Sequence, residues 1–545
     1  MKKRILSLFL ITVMILSTFA IIPVSATENT FNANDAVPVI TTLEDLNAFD
    51  EAIEGGNFFS GKTVKLAADI DLPSDFTGIG IDQDGAKGFG GIFDGQGHTI
   101  TMSGHSTASG WKGQLFTFTE NGGNSATIKD LNVDGTMTMA TRDNNSVLLG
   151  RPLTKEVIIE NVHISVDITT SGLVDTMGVF IYGLRSGTEY SNVTIKGCVY
   201  DGTINAQNGA KWFGGFIGDV TGGEAKNVTI QDCVYAGTMN FFDNEATEFP
   251  AGFIGDVKEN DDTYVTIKDC YSIGTMNFAG TTKPSGTCEG GTVIGRLTKN
   301  NNVSIKNLYY VNVENLNGEG NMPVVGRNAD SAATITTTNV VAKTKAEIAA
   351  LTTGAFSNDS TMTFKTVKVD NVNLYYPAPA GLVKNGWLSS LSVVSGNATV
   401  LGAQIRCTGE DDDYSGIRFV SVFNKSAVTG AQTANANFGI ILIAKSKLDT
   451  MQGDVTIANL KAAGGIDIQA TNATEVGDYY RVNAVVYEID DDYYKNEIVA
   501  YTYIGDALVG ESVTRSIYEV AELCLDDTNA TEAQRNFCAT IVPQN

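Results

Sequence analysis

The side chains able to do chemistry fall at a few recurring places. Asp219 and Asp256 close the similar stretches Phe216-Ile217-Gly218-Asp219 and Phe253-Ile254-Gly255-Asp256, while Asp232 and Asp269 precede cysteine in Asp232-Cys233 and Asp269-Cys270. If these stretches stack, each pair brings two carboxylates to about 5 Å, where they repel unless a cation or a basic neighbour intervenes. Calcium is the cation such oxygens favour, which makes Asp219 and Asp256 the candidate metal ligands. The competing reading is a solvated charged face, since Arg296 follows Asp256 one repeat later and Lys196, Gln231 and Lys268 alternate charge with neutrality. Arg296 and Arg327 offer a place for a carboxylate or sulfate. Trp111 and Trp212 lie between repeats, as in Gly209-Ala210-Lys211-Trp212-Phe213. An exposed aromatic face beside polar groups suits a sugar ring, and loops on a rigid scaffold carry function. Both are candidate glycan contacts, or else covers for the rim of the fold.

Histidine is scarce, with only His98, His105 and His163. His98 sits in Asp94-Gly95-Gln96-Gly97-His98, His105 in a Gly/Ser-rich loop, and His163 where the repeat has an outward Thr, with no obvious partner. Neither Gly-x-Ser-x-Gly, His-Glu-x-x-His, Walker A nor a complete EF-hand loop occurs. Asp82–Gly85, Glu410–Asp413 and Glu488–Asp492 are acidic turns without full calcium-loop spacing. No residue is assigned a catalytic role, and no cofactor is called for beyond the calcium option.

Repetition defines the elements that hold these groups. Asn192-Val193-Thr194-Ile195-Lys196-Gly197-Cys198-Val199-Tyr200, Asn227-Val228-Thr229-Ile230-Gln231-Asp232-Cys233-Val234-Tyr235 and Val265-Thr266-Ile267-Lys268-Asp269-Cys270-Tyr271 are copies. Weaker copies start at Thr127, Asn161 and Asn302. Ile195, Ile230, Ile267 and Ile305 recur at 35, 37 and 38 residues. The pieces are short, β-branched, alternating and bounded by Gly or Asn, so they read as strands. A fixed period of such strands fits a parallel β-solenoid, whose coils must stack to bury their inner faces. Val and Ile of Val-Thr-Ile then point inward, and Cys198, Cys233 and Cys270 form one buried column. Asn161, Asn192, Asn227 and Asn302 form a turn column.

Thr41-Thr42-Leu43-Glu44 reads as a capping box opening a helix with the stripe Leu43, Leu46, Phe49, Ala52 and Ile53, placed to cap one end of the solenoid. Thr344–Glu347 is a second box. Met362–Val369 and 371–376 alternate like closing strands, and Pro377-Ala378-Pro379 marks a boundary. From Gly386 the pattern changes to hairpin-like strands and two terminal helices, a β-rich sandwich-like module. Cys524 and Cys538 pair between those helices or stay free thiols.

Met1-Lys2-Lys3-Arg4, an apolar run to Ile22, and Val24-Ser25-Ala26 have the form of a secretory signal. Its removal takes three positive charges and moves the net charge from −25 to −28. That sign disfavours nucleic acid, and no second apolar span follows. Seven cysteines in 545 residues are too sparse for a disulfide scaffold.

Lys62–Leu66, Asp69–Leu72 and Phe89-Gly90-Gly91-Ile92-Phe93-Asp94-Gly95-Gln96-Gly97-His98-Thr99-Ile100, with the Gly-Phe-Ile-Gly elements, resemble secreted bacterial right-handed β-helix proteins with GLUG-type repeats over residues 40–380. The resemblance implies a pectate-lyase-like fold and an extracellular surface role, with no particular chemistry. The C-terminal part resembles a module carried by secreted Firmicutes proteins. The chain is therefore expected to be all-β: signal peptide 1–26, right-handed parallel β-helix with a helical cap at 27–382, and β-rich module at 388–545. The expected protein is a secreted, monomeric, non-enzymatic surface protein for adhesion or glycan contact. Its partner would be an extracellular glycan or a host or cell-wall surface. The alternatives are a carbohydrate-active β-helix enzyme of the polysaccharide-lyase kind and a passive wall or matrix scaffold.

Overall fold

The computed structural model describes residues 31–80, 87–107, 113–140, 142, 145–184, 192–221, 227–242, 247–258, 263–278, 289–298, 302–314, 320–328, 333–370, 372–386, 391–394, 396–407, 415–527 and 530–542. The proposed signal and Trp111 lie outside them.

The repeat folds as a parallel β-solenoid. Outward residues run in register from Thr63 through Ile92, Thr127, Ile158, Thr194, Thr229, Thr266 and Ser304 to Thr336. One residue on, the inward ladder runs Val64, Phe93, Ile128, Ile159, Ile195, Ile230, Ile267, Ile305 and Thr337. Its apolar members are buried, because alternation sends every second side chain into the core. A second, seven-stranded parallel sheet, from Phe116–Phe118 to Val325–Asn328, closes the coil.

Each coil turns a corner between Ile195 and Val199, or their equivalents. Asp130, Asn161, Gly197, Asp232, Asp269, Asn307 and Asn339 all sit there with φ between 49° and 63°. Glycine, Asn and Asp tolerate this left-handed backbone best. The register corrects two sequence expectations. Asn192 pairs with Glu156 and Asn227, so Asn161 belongs to the corner column instead. His163 pairs with Val199 and Asn132, not with the outward Thr194. The motif Asn161–Ile164 copies the letters of the repeat but occupies the strand after the corner.

The cysteine column is present and fully buried. Cys198 N–H donates to Cys233 Sγ (3.5 Å) and Cys233 N–H to Cys270 Sγ (3.4 Å), so thiols accept from amides at the corner. Burial pushes the Cys233 and Cys270 thiols well above their ordinary pKa.

The helix Leu43–Glu54 buries Leu46, Phe49 and Ile53 against the first coils. Its capping box is Thr42 with Asp45, one residue later than the sequence suggests. The second box, Thr344 with Glu347, opens the short helix Lys345–Ala349. The strands expected to close the far end do not. Met362–Thr363 pairs with Ala378–Pro379, and Lys368–Val369 with Val372–Asn373. Residues 344–386 instead run back along the corner column as a strap. Tyr309 hydroxyl donates to Ala355 O (2.7 Å), and Asp269 and Asp232 accept from the strap further on. Helix Ala380–Lys384 then lies against strand Glu156–Ile164. Among the described residues, nothing pairs with the outer edge of the last strand, Thr334–Ala342.

Beyond the strap, two four-stranded sheets form a β-sandwich. Ala398–Arg406 and Gly416–Asn424 make an antiparallel pair in one sheet, and Phe438–Ala444 and Ile498–Ile504 pair in the other. The helices Ile517–Asp526 and Glu532–Ile541 bury Ile517, Val520, Cys538 and Ile541 on its core. Cys524 and Cys538 are free thiols.

Candidate functional site

Asp219, Asp256, Arg296 and Arg327 form one column of the seven-stranded sheet. The order of charge is two negative, then two positive. Arg296 donates from Nε to Asp256 Oδ1 (2.9 Å) and from Nη2 to Oδ2 (2.5 Å), a two-pronged pair with Asp256 almost fully buried. Such pairs match the planar fork of arginine to the carboxylate. The guanidinium lies 5.2 Å from the Trp212 ring centre and 4.7 Å from that of Phe249. Burial lowers the Arg296 pKa, but its hydrogen bonds to Asp256 and its attraction to Asp256, Glu248 and Asp219 outweigh this and raise it. Asp219 is buried beside Gly183, where a Cβ would sit 2.5 Å from its Oδ1. Glycine leaves room for that carboxylate.

The sequence-predicted residues Trp212, Asp219 and Asp256 are thus brought together, around a residue read separately, Arg296. Trp212 lies on strand Ala210–Gly214, not in a loop. Arg296 covers its ring and Lys258 stands 5.9 Å from the ring centre. Arg327 pairs with Glu289 at 2.9 Å. Among the described residues no three His, Cys, Asp or Glu groups are arranged to hold a metal ion. The other aspartate pair serves the strap. Asp269 accepts from Ser357 N (2.7 Å), Ser357 Oγ and Asn307 Nδ2 (2.9 Å). Asp232 accepts from Ser360 Oγ (2.6 Å) and from Thr361 N and Oγ1 (both 2.9 Å). Left-handed geometry at the corner and donors from the strap account for both.

A second constellation escaped sequence reading. His163 has partners at both ring nitrogens: Nδ1 lies 2.8 Å from Asn132 Oδ1, and Nε2 lies 2.8 Å from Asp201 Oδ1. Asn132 Nδ2 donates in turn to Thr99 Oγ1 (3.1 Å). Thr99, Asn132 and His163 occupy one column of successive coils, which then continues as Val199, Val234, Tyr271 and Tyr309. His163 is 6 % exposed. Asp201 opens into a cleft of about 460 Å³ between the solenoid and the sandwich. His105, expected in a loop, is fully buried on strand Thr99–Thr107, and burial lowers its pKa. His98 pairs with the exposed Asp69 at 3.2 Å.

A third feature is a flat outward face. Thr203, Thr238 and Thr275 stand in one column and Asn205, Asn240 and Asn277 in the next. Asn240 Nδ2 donates to Asn205 Oδ1 (2.9 Å), and Asn277 Nδ2 to Asn240 Oδ1 (2.8 Å).

No protein-family model matches the chain, and no curated protein matches it. Among solved structures it is similar to a crystal structure described as "a putative immunoglobulin A1 protease from Bacteroides ovatus". Identity is 16%, the TM-score is 0.41, and the match covers 63% of this chain and 92% of that one. A likeness this slight bears no argument about function.

Proposed function

We propose that this is a secreted or cell-surface, non-catalytic contact protein whose solenoid lies against a repeating glycan of a host or wall surface. The observation behind this reading is the face of Thr203, Thr238 and Thr275 beside Asn205, Asn240 and Asn277. Equivalent uncharged donors and acceptors recur there at the strand spacing of about 4.8 Å. A repeating surface suits a repeating polymer, because many weak contacts add through effective concentration. An uncharged strip also avoids the repulsion that a net charge of −25 imposes on acidic polymers elsewhere. The calcium and arginine chemistry of a lyase draws no support from the Asp219 column, where Asp256 already holds Arg296.

The test uses residues 27–545 with plant, microbial and host polysaccharides, with and without calcium. The expected result is co-sedimentation with at least one insoluble polymer and no change in polymer size. Asn240→Lys, which puts a charge in the middle of the strip, should weaken that binding at least tenfold. Fragmentation of any polymer would overturn the non-catalytic reading. Absence of binding across the panel would leave a passive scaffold.

A further inference from the structure

The repeat supplies its own control for Asp201. At the matching position of the next two coils stand Ala236 and Ile273, and both line the same cleft. Behind Asp201, the column that holds His163 becomes Val199, Val234 and Tyr271 in later coils. The fold therefore accepts apolar residues at both places. A half-buried hydrogen-bonded chain from Thr99 through Asn132 and the buried His163 instead ends on one carboxylate at the cleft. Withdrawing polar groups from water costs stability even when they are bonded, and the later coils avoid that cost with apolar residues, so packing alone does not call for this chain. Its mechanical effect is clear: the 2.8 Å contact with the His163 ring, itself set in rigid coils, fixes the direction of Asp201.

The rest of the cleft defines what would meet that carboxylate. Leu401 and Val513 of the sandwich and Ala236 and Ile273 of the solenoid are among the apolar residues that line it, and the exposed Glu511 adds a second carboxylate. Lys345, also exposed, is the only lysine or arginine among the described lining residues, and His163 stands behind Asp201. Aliphatic carbon with two carboxylates, beside the hydroxyl-bearing Tyr376, Ser392 and Thr399, matches a primary ammonium on a hydrocarbon stem.

We propose that this cleft binds a lysine side chain of a basic partner polypeptide, with Asp201 and Glu511 receiving the ammonium and the aliphatic walls receiving the stem. The cleft shares no lining residue with the Thr/Asn face, although Asp201, Ala236 and Ile273 each stand two residues before one of its threonines. It stands whether or not a glycan binds there.

The test measures binding of a fluorescent decalysine peptide to the full chain at physiological salt. A diffuse acidic field would also attract this probe, so the comparison is among variants. Asp201→Asn should weaken binding at least tenfold and Glu511→Gln several-fold. Asp506→Asn, which removes an exposed carboxylate not among the cleft-lining residues, should leave it within twofold. Lys345→Ala removes the competing cation and should strengthen binding. Retained melting temperature would show that Asp201→Asn is folded. Should it fail to fold, Glu511→Gln and Lys345→Ala, both at exposed positions, carry the test alone. Equal weakening by Asp201→Asn and Asp506→Asn, or no opposite effect of Lys345→Ala, would overturn the proposal. Equally Asp201-dependent binding of a chitosan oligomer would overturn the polypeptide assignment and make the ligand an amino sugar.

Discussion

Asp256 and Arg296 show how a candidate site becomes a structural lock. Both are largely withdrawn from water, and each is the other's partner. Breaking a buried pair by removing one partner typically costs about 3–5 kcal/mol, here at the lower end because Glu248 and Asp219 still attract Arg296, whereas replacing both by apolar groups is often near neutral. Asp256→Ala should therefore lower stability by about 3 kcal/mol, and the double variant Asp256→Ala/Arg296→Met should regain most of it. Thermal denaturation of the single and double variants checks this. Asp50 makes a different prediction. Burial pushes its carboxyl up from 3.8 to about 6, although Gly80 N donates to it (2.7 Å). A folded pKa above the unfolded one means that folding takes up a proton. The associated stability is present below about pH 4 and is lost as pH rises through 6. Asp50→Asn keeps an acceptor for Gly80 and removes the charge. It should raise the melting temperature at pH 7.5 and leave it nearly unchanged at pH 3.5, read from melts at the two pH values.

At the scale of elements, the corner column does two jobs with one set of residues. Left-handed backbone calls for Gly, Asn or Asp, and the Asp side chains placed there then accept the strap's donors. Strap and solenoid are thus joined by buried carboxylates as well as by the apolar cluster of Val234, Tyr271, Ile348 and Leu382. Asp232→Ala with Asp269→Ala should release the strap without unwinding the coils. Limited proteolysis followed by mass spectrometry should then find cleavage near Ser357–Thr361 far earlier than in the parent chain, with the far-ultraviolet circular dichroism of the sheets retained. Simultaneous loss of the β signal would show instead that the strap is integral to the solenoid.

For the whole molecule, the two ends of the solenoid differ. The first coils are sealed by helix Leu43–Glu54, while the side chains of Thr334–Ala342 are half-buried or exposed. Coils in a solenoid draw stability from their neighbours, so the one with a single neighbour should open first. Hydrogen exchange should be fastest in Thr334–Ala342 and slowest in Asn192–Lys196 and Asn227–Gln231, and a uniform rate along the stack would contradict this. Much of this architecture was legible in the sequence. Period-2 alternation between glycine-marked turns determined the strands, their inward residues and the cysteine column, because which face a side chain takes is a local consequence of extended backbone. Thr344 and Glu347 announced their helix for a similar reason: a cap is made by residues three apart. Register was less secure. Asn161–Ile164 carries the letters of the repeat, yet Glu156–Glu160 pairs with Asn192–Lys196, since total burial over the coil decides alignment rather than one tetrapeptide. Long-range approach was not legible at all. That Trp212 would meet Arg296, that Asp201 would meet His163, and that residues 344–386 would fold back along the coils depends on partners 38 residues apart at the nearest and, for helix Ala380–Lys384 against strand Glu156–Ile164, 216 or more at the farthest. No local pattern encodes such distances. The sequence by itself determined a stack of parallel strands with named inward faces; which polar groups in that stack bind each other, and which are left to face a cleft, only tertiary packing decided.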